Sequence, residues 1–357
     1  MKKKINKKII KFGIFGLGRV VEKRVAQVFL KELNNSKVVT VFDKIRKKRD
    51  KYKKLFNCKS ANSLNEFLKE KLDYIYIATD SGNHYKNILD CFRFNHNVIV
   101  EKPPVLRINH LLILDKISKK KKLDFFAVYQ NRFNSSVEIL KKSIYKKIKN
   151  KLIFSNLDLL WSRNQNYYYD WHGKWSSDGG VIAQQGIHYL DLLCYIFGPP
   201  LKCISYLSNK TNKLQAEDTH AALIIFKNNI SCTINFTTAL RPQDIEASLR
   251  IVARDLVVKL YGLCCNKISI ESLNKKNNFY KKISYLHSRE VPNGYGLSHK
   301  DLFQNIIDFN LGNKKSKVIK AIDTINTLKL VNMLYMSFEK KKWIFSNEKN
   351  IRSKLGY

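Results

Sequence analysis

The sequence contains no apolar run of about 18 residues, so a membrane-spanning helix is not expected. Its seven cysteines (Cys58, Cys91, Cys194, Cys203, Cys232, Cys264 and Cys265) form no C-x-x-C pair. An odd number without that spacing argues against a zinc site. It fits a reducing, cytoplasmic setting in which cysteine acts as a small hydrophobe. The start, "MKKKINKKIIKFGIFGLG", lacks a small-residue cleavage site and reads as the approach to a strand, not as a signal peptide. Neither an internal repeat nor a long linker is visible. Arginine is scarce, at 13 of the 66 basic residues. Proteins that read bases and phosphates bidentately rely on arginine, so the scarcity weakens a nucleic-acid role despite a net charge of +37. The lysines are spread along the chain, as in "KIRKKRDKYKK" and "KKSIYKKIKNK", and read as decoration of solvated faces. Their field would still attract an anionic small substrate.

What is present is ample material for cores. A chain of 357 residues with 44% hydrophobic and 12% aromatic content predicts two domains. Up to residue 128, short apolar runs alternate with amphipathic stretches: "IIKFGIFG", "KVVTVFD", "DYIYIAT", "NVIVEKPP" and "DFFAVYQ" read as strands with helices between them. That alternation predicts a parallel sheet covered on both faces. Beyond about residue 130 the texture changes. "KLIFSNLDLLW", "HAALIIFKNNISCTINFTTAL", "ASLRIVARDLVVKLYG" and "KISIESL" follow one another as strands, and two helices close the chain. The expected architecture is α/β at 1–128, followed by a sheet-dominated domain at 129–357.

Two stretches carry chemistry. "GIFGLGRVV" places Gly16 and Gly18 between the first strand and first helix, where a dinucleotide pyrophosphate binds. Val21 stands where the fingerprint has its third glycine. Asp43 ends the second strand, suited to accept hydrogen bonds from ribose hydroxyls, and its charge favours NAD over NADP. The second stretch, "GGVIAQQGIHYLDLLCYIFG" at 179–198, predicts a helix with Gln184, His188 and Asp191 on roughly one face. Asp191 is expected to fix the helix. The aromatic loop "NYYYDWHGKWSSDGG" before it suits stacking against sugar or base faces.

With "ATDSGNH", "EKPP", "YQNRFN", "EDTHAALIIF" and "GYGLSHKDLFQNIIDF" in order, the sequence resembles the Gfo/Idh/MocA oxidoreductases. The resemblance implies a Rossmann domain and a C-terminal α+β domain with a large open, mostly antiparallel sheet. It also implies NAD as cofactor and a homodimer or homotetramer formed through that sheet. The activity it implies is hydride transfer between nicotinamide and a sugar hydroxyl, with a sugar nucleotide as leading substrate. A free sugar, an inositol or another polyol is the alternative, as is a non-catalytic NAD-binding regulator. Lys102 matches the family's catalytic lysine and His188 its catalytic histidine. Gly16, Leu17, Gly18, Arg19, Val20, Asp43, Thr79, His84, Glu101, Lys102 and Arg132 fall at cofactor positions. Lys102, Asn131, Arg132, Trp171, Gln184, His188 and Tyr295 fall at substrate positions. No metal is implied. Many members carry Asp where this chain has Gln184; an amide cannot titrate, so Gln184 is expected to position substrate. Of the other histidines, His172 and His299 are the ones expected to line the cleft.

Overall fold

The computed structural model describes residues 8–273 and 278–357; the lysine-rich start at 1–7 lies outside them. The chain divides into two compact units. The first comprises the described residues up to Val105, Asn109–Val128 and Ser298–Asp323; the second comprises Leu106–Ile108, Tyr129–Leu297 and Thr324–Tyr357.

In the first unit, β1 (Ile10–Phe15), β2 (Ser36–Phe42), β3 (Lys59–Ser60), β4 (Tyr74–Ile77), β5 (Asn97–Val100) and β6 (Phe125–Ala127) form one sheet. Their order is β3-β2-β1-β4-β5-β6, and every pairing is parallel. The strands are apolar on both faces, with Tyr74–Ile77 and Val98–Val100 fully buried, as a sheet covered by helices on each side requires. The crossover helices are α1 (19–32), α2 (Arg46–Phe56), α3 (Leu64–Leu68), α4 (His84–Arg93) and α5 (Ile108–Lys121). α1 opens into wide π turns at Val21–Val25 and Val28–Glu32. α2 is the charged run "KIRKKRDKYKK" folded as a helix that buries only Tyr52, so these lysines do decorate a solvated face.

In the second unit, a helical stretch α6 (135–148) precedes an eight-stranded sheet. Its strands are β7 (Leu152–Leu160), β8 (Pro200–Ser208), β9 (Thr219–Phe226), β10 (Ser231–Thr237), β11 (Glu246–Ala253), β12 (Leu256–Tyr261), β13 (Lys267–Ser272) and β14 (Ile344–Phe345). They are ordered β13-β12-β11-β7-β10-β9-β8-β14. All neighbours are antiparallel except β10 and β7. Inward positions alternate with outward ones, as at Cys232, Ile234 and Phe236 of β10. The helix α7 (181–197) begins with a wide π turn at Ile182–Gly186 and continues regularly over Ile187–Phe197. It packs on α10 (Ile325–Lys340). Four elements escape a sequence reading: the two-residue strands β3 and β14, β8, and α8 (Asn278–Leu286). α9 (His299–Asn310) lies far along the chain but belongs to the first unit. There Phe303 packs on Phe29 at 4.9 Å and Tyr76 at 5.2 Å between ring centroids.

Candidate active site

The strand order of the first unit reverses direction between β1 and β4, and open α/β sheets bind ligands at the carboxyl ends of strands at such a point. Gly16 stands there with φ +93°. A β-carbon on it would lie 2.6–2.7 Å from the backbone of Ala78 and Thr79, so the first position of the glycine motif admits no side chain. A β-carbon on Gly18 would meet only the Ala78 carbonyl, at 3.7 Å; glycine here keeps the backbone uncovered for a phosphate. Asp43 leaves the end of β2 half-buried. Its carboxylate accepts the Leu17 amide at 2.8 Å and the Ile45 amide at 2.9 Å, which ties the glycine turn to the strand beside it. Arg49, which no motif flags, donates to the Asp43 carbonyl at 2.8 Å. Arg19 is exposed and Val20 half-buried at the start of α1. A tight glycine turn, an uncovered backbone and an acid on the neighbouring strand are the features a dinucleotide needs.

The same sheet edge carries the "EKPP" turn. Lys102 is half-buried between the buried Glu101 and Pro103, and the Lys102–Pro103 peptide is cis. Glu101 does not face outward: its carboxylate accepts the Tyr76 hydroxyl at 2.6 Å, and burial pushes its pKa up against that bond. It therefore anchors the residue before Lys102 to the sheet. His84 is fully buried, with Nδ1 2.8 Å from the Pro103 carbonyl and Nε2 3.1 Å from the Thr79 carbonyl. Burial lowers its pKa, so at neutral pH the ring is uncharged and donates to one of them. His84 thus joins the "EKPP" turn to the loop after β4. Thr79 accepts from Asn87 at 2.8 Å. His299 is also buried, and burial pushes it down to about 3.

In the second unit, α7 is unusual in its burial. From Ser177 to Cys194 every residue is buried except His188. An apolar helix closed on nearly all sides leaves one imidazole half-open, packed edgewise near Tyr129 and Tyr189 at 6.5 and 6.4 Å. Gln184 is buried one turn earlier. Asp191 accepts the Arg132 guanidinium in a bidentate pair at 2.7 and 2.6 Å and the Thr327 hydroxyl at 2.9 Å. The planar fork of Arg132 is matched to Asp191 and stacked 4.9 Å from the Tyr195 ring, so it holds α7. Its neighbour Asn131 is buried with no hydrogen-bond partner for Oδ1 among the described residues.

The aromatic loop folds on itself. His172 stacks on Trp171 at 3.9 Å and lies 4.2 Å from Tyr167, and its Nδ1 pairs with Asp170. Trp171 stays half-exposed. Gln185 reaches this loop, donating to the Tyr167 hydroxyl at 3.4 Å. Tyr295 is half-buried on the loop after α8, where its electrostatic influence reaches Tyr167.

The two glycines before α7 have distinct roles. Gly179 has φ +68°. A β-carbon on Gly180 would lie 2.1 Å from the Glu217 carbonyl oxygen, so the chain there is in contact with another backbone. Gly180→Ala is expected to cost about 1–3 kcal/mol, the range of an overpacked core, read as a lower denaturation midpoint with unchanged slope.

Comparison with known proteins agrees with this architecture. A family model described as an oxidoreductase family with an NAD-binding Rossmann fold matches residues 10–129, and its companion, a C-terminal alpha/beta domain, matches 157–345. An uncharacterized oxidoreductase of Synechocystis is 24% identical over 194 residues, covering 50% of this chain and 52% of that protein. This chain thus spans about half of that relative in the alignment. Glucose-6-phosphate 3-dehydrogenase of Bacillus subtilis is 22% identical over 255 residues, 68% of this chain and 71% of that one. Among solved structures, the WlbA dehydrogenase of Bordetella pertussis in complex with NADH and UDP-GlcNAcA superposes with a TM-score of 0.85 at 24% identity. That match covers 95% of this chain and 98% of the other. These structural likenesses are of fold. Levoglucosan dehydrogenase with NADH shares the fold at a TM-score of 0.79 and 13% identity, over 96% of this chain and 100% of that one. With both domain models matched in order along most of its length, the chain belongs to the Gfo/Idh/MocA oxidoreductase family.

Proposed function

We propose that this protein is an NAD-dependent dehydrogenase that oxidises a hydroxyl of a nucleotide-linked sugar. The single observation that carries the reading is the half-open His188 on a helix whose other residues up to Cys194 are buried, in a chain that also presents Lys102 at the cofactor edge of its Rossmann sheet. The cofactor fits the residues present: Gly16, Leu17, Gly18 and Asp43 would hold it. When bound, nicotinamide supplies the hydride acceptor. The remaining work is removal of the hydroxyl proton, which needs a base within hydrogen-bond reach. Lys102 is the proposed base, and His188 orients the hydroxyl and relays its proton. Gln184 hydrogen-bonds substrate without titrating. Trp171 and Tyr295 offer flat apolar faces for a sugar or base.

The sugar-nucleotide reading is favoured by the fold match to WlbA with UDP-GlcNAcA and by a net charge of +37, which attracts a diphosphate. The match to a glucose-6-phosphate 3-dehydrogenase supports a second reading, a phosphorylated free sugar. Incubation with NAD and a panel of nucleotide sugars, free sugars, sugar phosphates and inositols separates the two by NADH absorbance. Turnover confined to the nucleotide sugars is expected; turnover only on the others would displace the reading.

Asp43 sets the cofactor preference. Asp43→Ser removes the carboxylate that repels a 2′-phosphate, with Lys44 and Arg46 exposed beside it. The ratio of kcat/KM for NAD over NADP is expected to fall by about tenfold or more, since one charge interaction at this edge is worth about 1.4 kcal/mol or more. We further propose a cytoplasmic homo-oligomer. All seven cysteines are free, no described helix is long and apolar enough to cross a membrane, and the eight-stranded sheet leaves Ile204, Tyr206, Thr233, Asn235 and Arg250 exposed.

A further inference from the structure

The four N–H groups at the start of a helix have no partner within it and must be satisfied from outside. At α7 no side chain of its own turn does so. The partners come from two distant elements instead. The Val181 amide donates to the Glu217 carbonyl at 2.9 Å, and the Ile182 amide donates to Glu217 Oε1, also at 2.9 Å. The Gly180 amide donates to the Tyr335 hydroxyl oxygen at 3.1 Å. Tyr335 in turn donates to Glu217 Oε1 at 3.0 Å. Glu217, in the loop before β9, and Tyr335, on α10, thus satisfy the three amides from 180 to 182. Gly180 is the residue whose missing side chain lets the Glu217 backbone approach.

Glu217 is an expensive way to provide acceptors. It is 1% exposed, and its Oε2 has no hydrogen-bond partner among the described residues. A buried carboxyl with one bare oxygen costs stability, and burial pushes this one up to about 8 despite its two hydrogen bonds. What it supplies is geometry: it sets where α7 begins and, through the rigid helix, the height and rotation of the two side chains one and two turns on.

We propose that Glu217 is a positioning residue for the reaction: with Tyr335 it caps α7 from outside and fixes Gln184 and His188 for the substrate. The inference rests on the dehydrogenase reading, and its test has one arm independent of activity. Hydrogen exchange at amides 180–182 is measured in wild type, Glu217→Ala, Glu217→Gln and Tyr335→Phe. Glu217→Ala and Tyr335→Phe are expected to raise exchange there by about tenfold or more, the effect of a lost cap, with the β-sheet amides unchanged. Glu217→Gln keeps an acceptor at the Oε1 position and is expected to stay within about threefold of wild type. In the activity arm, Glu217→Ala is expected to lower kcat by about 10–100-fold, the cost of a misplaced catalytic group. NADH affinity should stay within about twofold, and Gln should restore most of kcat. Unchanged exchange at 180–182 in both Glu217→Ala and Tyr335→Phe would overturn the cap. Altered exchange with an undiminished kcat would overturn the positioning role. Where Glu217→Ala does not fold, Tyr335→Phe and the Gln rescue decide both points. A wild type that caps α7 as described but turns over no sugar would sink the dehydrogenase reading, and the positioning role with it, while leaving the cap standing.

Discussion

Replacing Lys102 by alanine is expected to lower kcat by about 10²–10⁴-fold, the usual contribution of a general base, with NADH binding still measurable. The expectation follows from where the side chain stands. Glu101 is locked to Tyr76, Pro103 is held through His84, and the lysine between them is the residue of the turn left half-open. A surface lysine would have neither support. Lys102→Arg is expected to be nearly as inactive, because a guanidinium does not release its proton near neutral pH and its fork is larger than an ammonium. The measurement is kcat and KM against pH for all three proteins. Loss confined to KM would assign Lys102 to binding alone.

The second large effect is on stability. Arg132→Met is expected to destabilise the second unit by about 3–5 kcal/mol, because it strands Asp191 as an unpaired buried charge. Both partners are almost fully buried, so solvent does little to soften the loss. The companion Asp191→Leu strands the guanidinium in the same way. The double replacement is expected to recover much of the loss, since an apolar pair needs no compensation. Denaturation of the four proteins completes a double-mutant cycle. Additive losses would show that the pair does not hold α7.

Much of the fold is legible in the amino-acid sequence, for identifiable physical reasons. Buried parallel strands must be apolar throughout, so "DYIYIAT" and "NVIVEKPP" announce the Rossmann half. The Gly16 turn is legible because only glycine adopts its backbone conformation readily. β8 is not, because "PPLKCISYLS" mixes exposed and buried residues without the alternation of its neighbours. What Arg132 pairs with is not legible from its motif, because a motif fixes the position of a residue and not the direction of its side chain. Its partner lies 59 residues on, and the spacing within either element does not reveal the pair. The cap on α7 escapes for the same reason: Glu217 and Tyr335 lie outside the helix they serve, and only Gly180 hints at a close neighbour. The helical period does place Gln184, His188 and Asp191 on one element. Burial then separates them, with His188 half-open and Asp191 turned to the core.

The most direct test of the account follows the hydride. Wild-type protein is mixed with NAD and a nucleotide sugar deuterated at its ring carbons, and the reduced cofactor is weighed by mass spectrometry. Direct transfer predicts NADH carrying one deuteron from the sugar, formed within a single turnover. A protein that binds NAD and the nucleotide sugar yet forms no deuterated NADH would contradict the dehydrogenase reading.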